Sequence, residues 1–324
     1  MSARYVQPLR ILVQYLFLSF ILWLGWRFTM FVLQIKSGAI GTIPARPDGI
    51  EAFLPISGLL GTVAWLKGMG INPVHPAATV LFISAILLSL LLRRSFCSWI
   101  CPVATISETL WKIGFRLFKR NLRLPVWLDI GLRSFKYLLL AFFVYSIVFA
   151  MSAASMQAFI HSDYHRIADV RLLYFFLHIS PVALAIISTL LILSIAIKNP
   201  TCRYLCPYGA LLGVVSVFSP VRVTRDRERC VSCGICSQVC PSRIDVMHKK
   251  SVTSPECIGC WRCVSHCRFN EALSMRFAGR YAVSGFLFAI LVITIFFGTV
   301  QIGKATGKWD TNITLPEYRQ LLRE

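Results

Sequence analysis

Twelve cysteines punctuate the 324-residue chain, and every one of them falls into a repeated spacing. Cys230, Cys233, Cys236 and Cys240, followed by Pro241, read C-x2-C-x2-C-x3-C-P; Cys257, Cys260, Cys263 and Cys267 repeat it with Arg268 in the proline position. Three thiolates this closely spaced grip one face of an iron-sulfur cubane, and a short helical turn carries the fourth towards a neighbouring cluster. Zinc is the competing chemistry, because C-x2-C also serves zinc knuckles. Eight thiolates in this order suit cubanes better than isolated tetrahedral ions. Proline is not a ligand, so Arg268 leaves the set intact. Gly234 and Gly259 fit the tight wrap that turns backbone amides towards sulfur.

The remaining four cysteines form a second repeat. Cys97 and Cys101 with Pro102, and Cys202 and Cys206 with Pro207, both read C-x3-C-P. Apolar residues at helical spacing follow each: Ile106, Leu110, Ile113 and Leu117, then Leu211, Leu212, Val215 and Phe218. Proline favours the first helical position, so Cys101 and Cys206 are expected at helix caps, where the positive helix end favours a thiolate or anionic cluster. Three readings stay open for these four thiols: a further metal or cluster site, a redox-active or transient metal-binding set, or inert buried cysteines.

The elements that must position these residues are those of a membrane protein. The chain is 56% apolar and only 15% charged, too apolar for an ordinary soluble domain. Five runs approach or exceed the roughly 20 residues that cross a bilayer: about 11–35, 76–92, 137–160, 172–197 and 281–302. The first reads as a permanent span rather than a cleavable leader, being long, interrupted by Arg27 and without a small-residue cleavage site. Residues 53–71 are moderately apolar, but Pro55, Gly58, Gly61 and Lys67 suit a re-entrant or interfacial piece.

Net charge is +20, and its placement explains it. Nine Lys or Arg lie between the second and third runs, Arg93 to Lys136, and thirteen between the fourth and fifth, Lys198 to Arg280. The alternate loops hold three and two. This is the positive-inside distribution, which puts both cysteine-bearing segments and the N-terminus in the cytoplasm and the tail after Ile302 outside. Lys112, Arg116, Lys119 and Arg120 are expected to snorkel to headgroups. Topology accounts for the basic charge, so nucleic acid is not an expected partner. A reducing compartment also favours metal or redox use of the thiols over disulfides.

The doubled motif resembles the bacterial two-cluster ferredoxins. That resemblance implies crossed ligation: Cys230, Cys233, Cys236 and Cys267 for one [4Fe-4S] cluster, Cys257, Cys260, Cys263 and Cys240 for the other. Over residues 76–300 the combination of two C-x3-C-P turns with this module resembles the NapH, NosR and CcoG group of polyferredoxin-like membrane proteins. The resemblance implies electron transfer between the quinone pool or a cytoplasmic donor and a membrane or periplasmic redox partner at a bacterial inner membrane. NapH-type members imply a quinol dehydrogenase component. CcoG-type copper reductases share the fifth span and outer tail, and imply the alternative of a metal-reducing or maturation factor.

The expected fold is mainly α: a polytopic bundle of about five spans with an internal two-fold repeat and a small α+β ferredoxin-like cytoplasmic insert. The expected domains are a membrane core over 1–220, the two-cluster module over 221–280, and a fifth span with a short outer tail over 281–324. No haem attachment or nucleotide-binding glycine motif occurs in the sequence. Candidates for handling quinol protons are His75, His178, Asp163 and Arg27. Leu315, Tyr318, Leu321 and Leu322 suggest an amphipathic tail lying on the membrane.

Overall fold

All five apolar runs contain helix, but their ends are set by prolines, left-handed residues and charge pairs rather than by hydropathy alone. The computed structural model describes residues 5–37, 46–269 and 271–322. Its helices are α1 (Val6–Ser37), α2 (Pro55–Leu66), α3 (Pro76–Leu92), α4 (Ser95–Trp99), α5 (Pro102–Phe118), α6 (Val126–Val144), α7 (Ala153–Ile160), α8 (Asp163–Arg166), α9 (Ala168–Leu177), α10 (Pro181–Ala196), α11 (Pro207–Ser216), α12 (Ile235–Gln238), α13 (Arg262–Ser265), α14 (Gly285–Ala305) and α15 (Leu315–Leu321). One sheet joins β1 (Val221–Arg225), β2 (Leu273–Phe277) and β3 (Tyr281–Ala282), all antiparallel.

Among the described residues three helices are long and apolar enough to cross a membrane: α1, α6 with its π-helical continuation to Ala150, and α14. A fourth span is available if α9 and α10 count as one, although they bend by 81° at the break. Pro181 explains the break, since it disfavours helical backbone at Ser180 and supplies no amide. Helix α3 is apolar and has 17 residues, the lower limit for crossing a bilayer.

The third run is the one most displaced. Hydropathy outlines 137–160, whereas the helix starts at Val126 and breaks at Met151. Arg133 and Lys136, which read as loop cations, lie within it, paired with Asp129 and Glu256 respectively. Neutralised charge lets the helix extend through them.

The chain divides into two units. The first comprises Met1–Leu18, Ala85–Ala141 and Ile187–Ile295 and contains all twelve cysteines. In it α5 and α10 approach closely at Gly114, where an added Cβ would fall 1.9 Å from the Ile195 carbonyl oxygen. The second unit comprises Ser19–Ser84, Phe142–Ile186 and Phe296–Glu324. Its core includes Phe28, Phe31, Leu60, Met156 and Tyr318. Gly58 and Gly61 bring α2 against α3, with Ala78 and Thr79 in the space a side chain would need. The tail does not lie free: α15 carries a Thr314–Glu317 capping box and buries Tyr318 and Leu321 in this core.

Candidate functional site

Strands β1 and β2 fasten the two ends of the cysteine-rich segment together, Val221 opposite Phe277 and Arg225 opposite Leu273. Their inward residues Val221, Val223, Leu273 and Met275 are buried, as a two-residue period over a half-covered sheet requires. Between the strands the chain makes two wraps. Gly234 (φ 75°) and Gly259 (φ 59°) adopt left-handed backbone within them. Cys236 lies on α12 and Cys263 on α13, and each helical turn delivers the next cysteine, Cys240 or Cys267, to the other half.

Two cavities result. One is lined by Cys230, Cys233, Cys236 and Cys267; the other by Cys240, Cys257, Cys260 and Cys263. The second has apolar walls that include Ile244, Val252 and Met275. Amide and guanidinium hydrogens already point at sulfur: Ile244 N donates to Cys240 Sγ at 3.4 Å and Arg225 Nη1 to Cys230 Sγ at 3.6 Å. Among the described residues no three His, Cys, Asp or Glu side chains gather as a single-ion site. Four cysteines around each cavity match the ligand number of a [4Fe-4S] cluster. The cavities differ in exposure: Cys233 is open to solvent, whereas Cys240, Cys260 and Cys263 are buried. Burial, then the neighbouring Cys260, pushes the free Cys240 thiol up to about 12.

The C-x3-C-P turns follow the two apolar helices by the same local route. Arg93 (φ 62°) leaves α3 and Asn199 (φ 49°) leaves α10 in left-handed backbone, ending each helix. Cys97 then sits on α4 and Cys202 in a π turn over Thr201–Leu205, while Cys101 and Cys206 cap α5 and α11 with proline at the first position. Gly209 N donates to Cys206 Sγ at 3.2 Å, the cap contact expected from sequence. The four thiols are electrostatic neighbours of one another. Burial outweighs the helix caps, however: with the charge of Cys97 beside it, Cys101 is pushed up to about 12.

Arg94 ties this group to the second cavity. Its guanidinium lies beside Cys97 and Cys206, and its Nη1 is 3.6 Å from Glu256 Oε2, next to Cys257. Gly209 and Gly213, one turn apart on α11, leave the room: a Cβ at Gly209 would stand 2.9 Å from Arg94 Nη2. From α4, Ser98 Oγ and Trp99 Nε1 donate to the Ile258 and Gly259 carbonyls, and Gln7 on α1 donates to Cys260 O. Arg93 donates to the carbonyls of Ser216 and Val252.

Sequence reasoning missed Arg10, Arg93, Arg94, Lys136 and Glu256 as site residues. Arg10 is wholly buried and pairs with Glu108, which also holds Lys112 at 2.8 Å and Arg262 at 3.3 Å. Lys112 therefore bonds within the protein rather than snorkelling. The available signal was a charged residue inside or beside an apolar run, at Arg10 and Lys136. In the second unit, Arg27 lies over the Trp23 ring, and Asp163 and His178 are exposed. His75 alone of the four proton candidates is buried, 3.6 Å from Glu51 and with its Nε2 2.7 Å from the His165 carbonyl.

This is an iron-sulfur site built for electron transfer, on a helical membrane framework. Residues 74–125 and 179–225, which contain both C-x3-C-P turns, match a family described as a 4Fe-4S binding domain; residues 222–268 match a 4Fe-4S dicluster domain. YccM of Escherichia coli K12, named as an electron transport protein, is 40% identical over 95% of this chain and 88% of its own length. The ferredoxin-type protein NapH of the same organism is 28% identical over 60% of this chain and 67% of its own. The methylamine utilization ferredoxin-type protein MauN of Methylorubrum extorquens is 32% identical over 45% and 47%. The chain belongs to this NapH-like polyferredoxin family of ferredoxin-type electron transport proteins. No solved structure matches it.

Proposed function

We propose that the chain carries two [4Fe-4S] clusters, one on Cys230, Cys233, Cys236 and Cys267 and one on Cys257, Cys260, Cys263 and Cys240. Cys97, Cys101, Cys202 and Cys206 form a further site, for a metal, a cluster or redox-active thiols. Electrons pass between the quinone pool or a cytoplasmic donor and a membrane or periplasmic redox protein. The observation that carries this reading is the pair of cavities, each lined by four cysteines drawn from both halves of the repeat.

Bound clusters supply reversible one-electron storage; the chain's residues hold, bury and connect them. Cys233 leaves the first group of thiols accessible to a soluble partner, while three of the four cysteines of the second are buried. The hydrogen bonds from Ser98 and Trp99 to Ile258 and Gly259 fix the first C-x3-C-P turn against the second cavity. Arg94 places a positive charge beside Cys97 and Cys206, on the side facing Glu256, where it favours added negative charge. For the membrane part, the reading is five spans, α3 and the bent α9–α10 pair included, with the cysteine module cytoplasmic and α15 on the periplasmic side. The charge distribution along the loops supports that orientation.

The test is iron and acid-labile sulfide per chain in protein purified without oxygen. About eight irons correspond to the two ferredoxin-type clusters and about twelve to a third at the C-x3-C-P cysteines. A chain purified free of iron sinks the proposal. Reduction of the bound clusters by a quinol separates the quinone-linked reading from a metal reductase that reduces cupric ion instead.

A further inference from the structure

The cysteine chemistry leaves one large feature of the first unit unused. A cavity of about 1030 Å³ opens between the end of α5, the loop that follows it, the end of α10 and the segment after α12. Five cations line it: Lys119, Arg120, Arg123, Lys198 and Arg243. Among the described residues none of the five makes an ion pair. The one carboxylate in the wall, Asp245, is already engaged by His248 Nδ1 at 2.6 Å and Ser237 Oγ at 3.1 Å. Like charges lining one cavity repel, and for Lys198 burial adds to the cost: burial first, then Arg262, lowers it to about 8. Two of the cations donate to backbone carbonyls, Lys198 to Gln238 and Arg243 to Leu122, and Lys198 also lies over the Trp111 ring. Phe115, Phe118 and Leu122 give the cavity an apolar side. Snorkelling accounts for single cations at a membrane edge; it does not account for a concave site of this size.

We propose that this cavity binds a phosphate-bearing ligand with an apolar or aromatic body, its phosphate among Arg120, Arg123, Lys198 and Arg243 and its body against Phe115 and Phe118. Guanidinium and ammonium groups without carboxylate partners are the groups that recognise phosphate, and the volume lies in the range of small-molecule sites. Two sources share this chemistry: the headgroup of an anionic phospholipid, and a soluble nucleotide such as flavin mononucleotide. Ile244 lines both this cavity and the one containing Cys240, so an occupant lies against the second cysteine cavity from outside.

The experiment uses the full chain purified in neutral detergent. Phosphatidylglycerol is offered in nanodiscs, with retention read by native mass spectrometry, and flavin mononucleotide is titrated by fluorescence quenching. Saturable binding of one ligand per chain, weakened by about tenfold or more in Arg123→Gln and in Lys119→Ala/Arg120→Ala, is the expected result. Whichever probe is retained identifies the source. Arg116→Ala, which removes a cation from α5 outside the cavity, leaves binding unchanged. Failure of both probes to saturate overturns the proposal, as does equal weakening by Arg116→Ala. Iron content measured on every variant shows whether it has folded.

Discussion

Lys136 Nζ on α6 stands 2.7 and 2.8 Å from the two carboxylate oxygens of Glu256, and the lysine is wholly removed from solvent. Tyr137 adds a hydrogen bond at 3.1 Å and Arg94 approaches from the side of Cys97. A helix of the membrane framework is thereby fastened to the residue before Cys257. Burial alone would raise the Glu256 carboxyl, but Arg94 and Lys136 hold it below its ordinary value.

Breaking that pair strands a buried charge. Lys136→Met leaves Glu256 with Arg94 still facing it, so the loss is at the low end of the range for buried pairs, about 3 kcal/mol. Glu256→Gln leaves two buried cations and costs more. In thermal unfolding of the detergent-solubilised protein, Lys136→Met/Glu256→Gln loses less than the sum of the single variants. Strict additivity would show that the two residues do not act as a pair.

Gly209 is required by Arg94. In Gly209→Ala the new methyl contacts Nη2 and pushes the guanidinium away from Cys97 and Cys206; with that positive charge withdrawn the thiolate fraction falls, so alkylation of these two half-buried thiols slows. Gly25→Ala is the control, because a Cβ there meets nothing within 4 Å. Unchanged alkylation kinetics in Gly209→Ala would remove Arg94 from the account of the site.

Unequal exposure of the two cavities predicts ordered loss of iron. On admission of air, iron leaves in two phases, and the faster phase belongs to the cavity with exposed Cys233. Cys233→Ser removes the fast phase and spares the slow one. A single phase in the native protein contradicts this order.

His165, buried in the second unit, makes stability depend on pH. Burial first, then His75 at a ring-to-ring distance of 4.9 Å, lowers it from 6.5 to about 4. The unfolded chain therefore binds a proton between these values that the folded chain does not, and stability falls as pH drops from about 6.5 towards 4. The expected loss is roughly 2 kcal/mol across that window. His165→Asn keeps a hydrogen-bonding side chain towards Ser57 and flattens the pH dependence of the melting temperature; an equally steep profile in that variant refutes the assignment.

The sulfur chemistry was legible in the sequence because its information is local. Spacings of two and three residues dictate which thiols share a wrap, and Cys-Pro dictates a helix start, as α5 and α11 show. Hydropathy located the apolar runs for a related reason, since burial of a segment in lipid is a property of its composition. It misplaced α6 because Arg133 and Lys136 are neutralised by partners, one of them Glu256, far away in the chain.

Composition and spacing by themselves determined a membrane protein with eight cysteines in ferredoxin order and four more at two proline-capped turns. Only the tertiary structure decided that the second four stand together, that Arg94 and Glu256 link them to the second cavity, that α9 and α10 bend, and that α15 packs into a core. Such facts depend on which distant residue neutralises a charge or fills a space. That is a matter of three-dimensional proximity, and no periodicity along the chain encodes it.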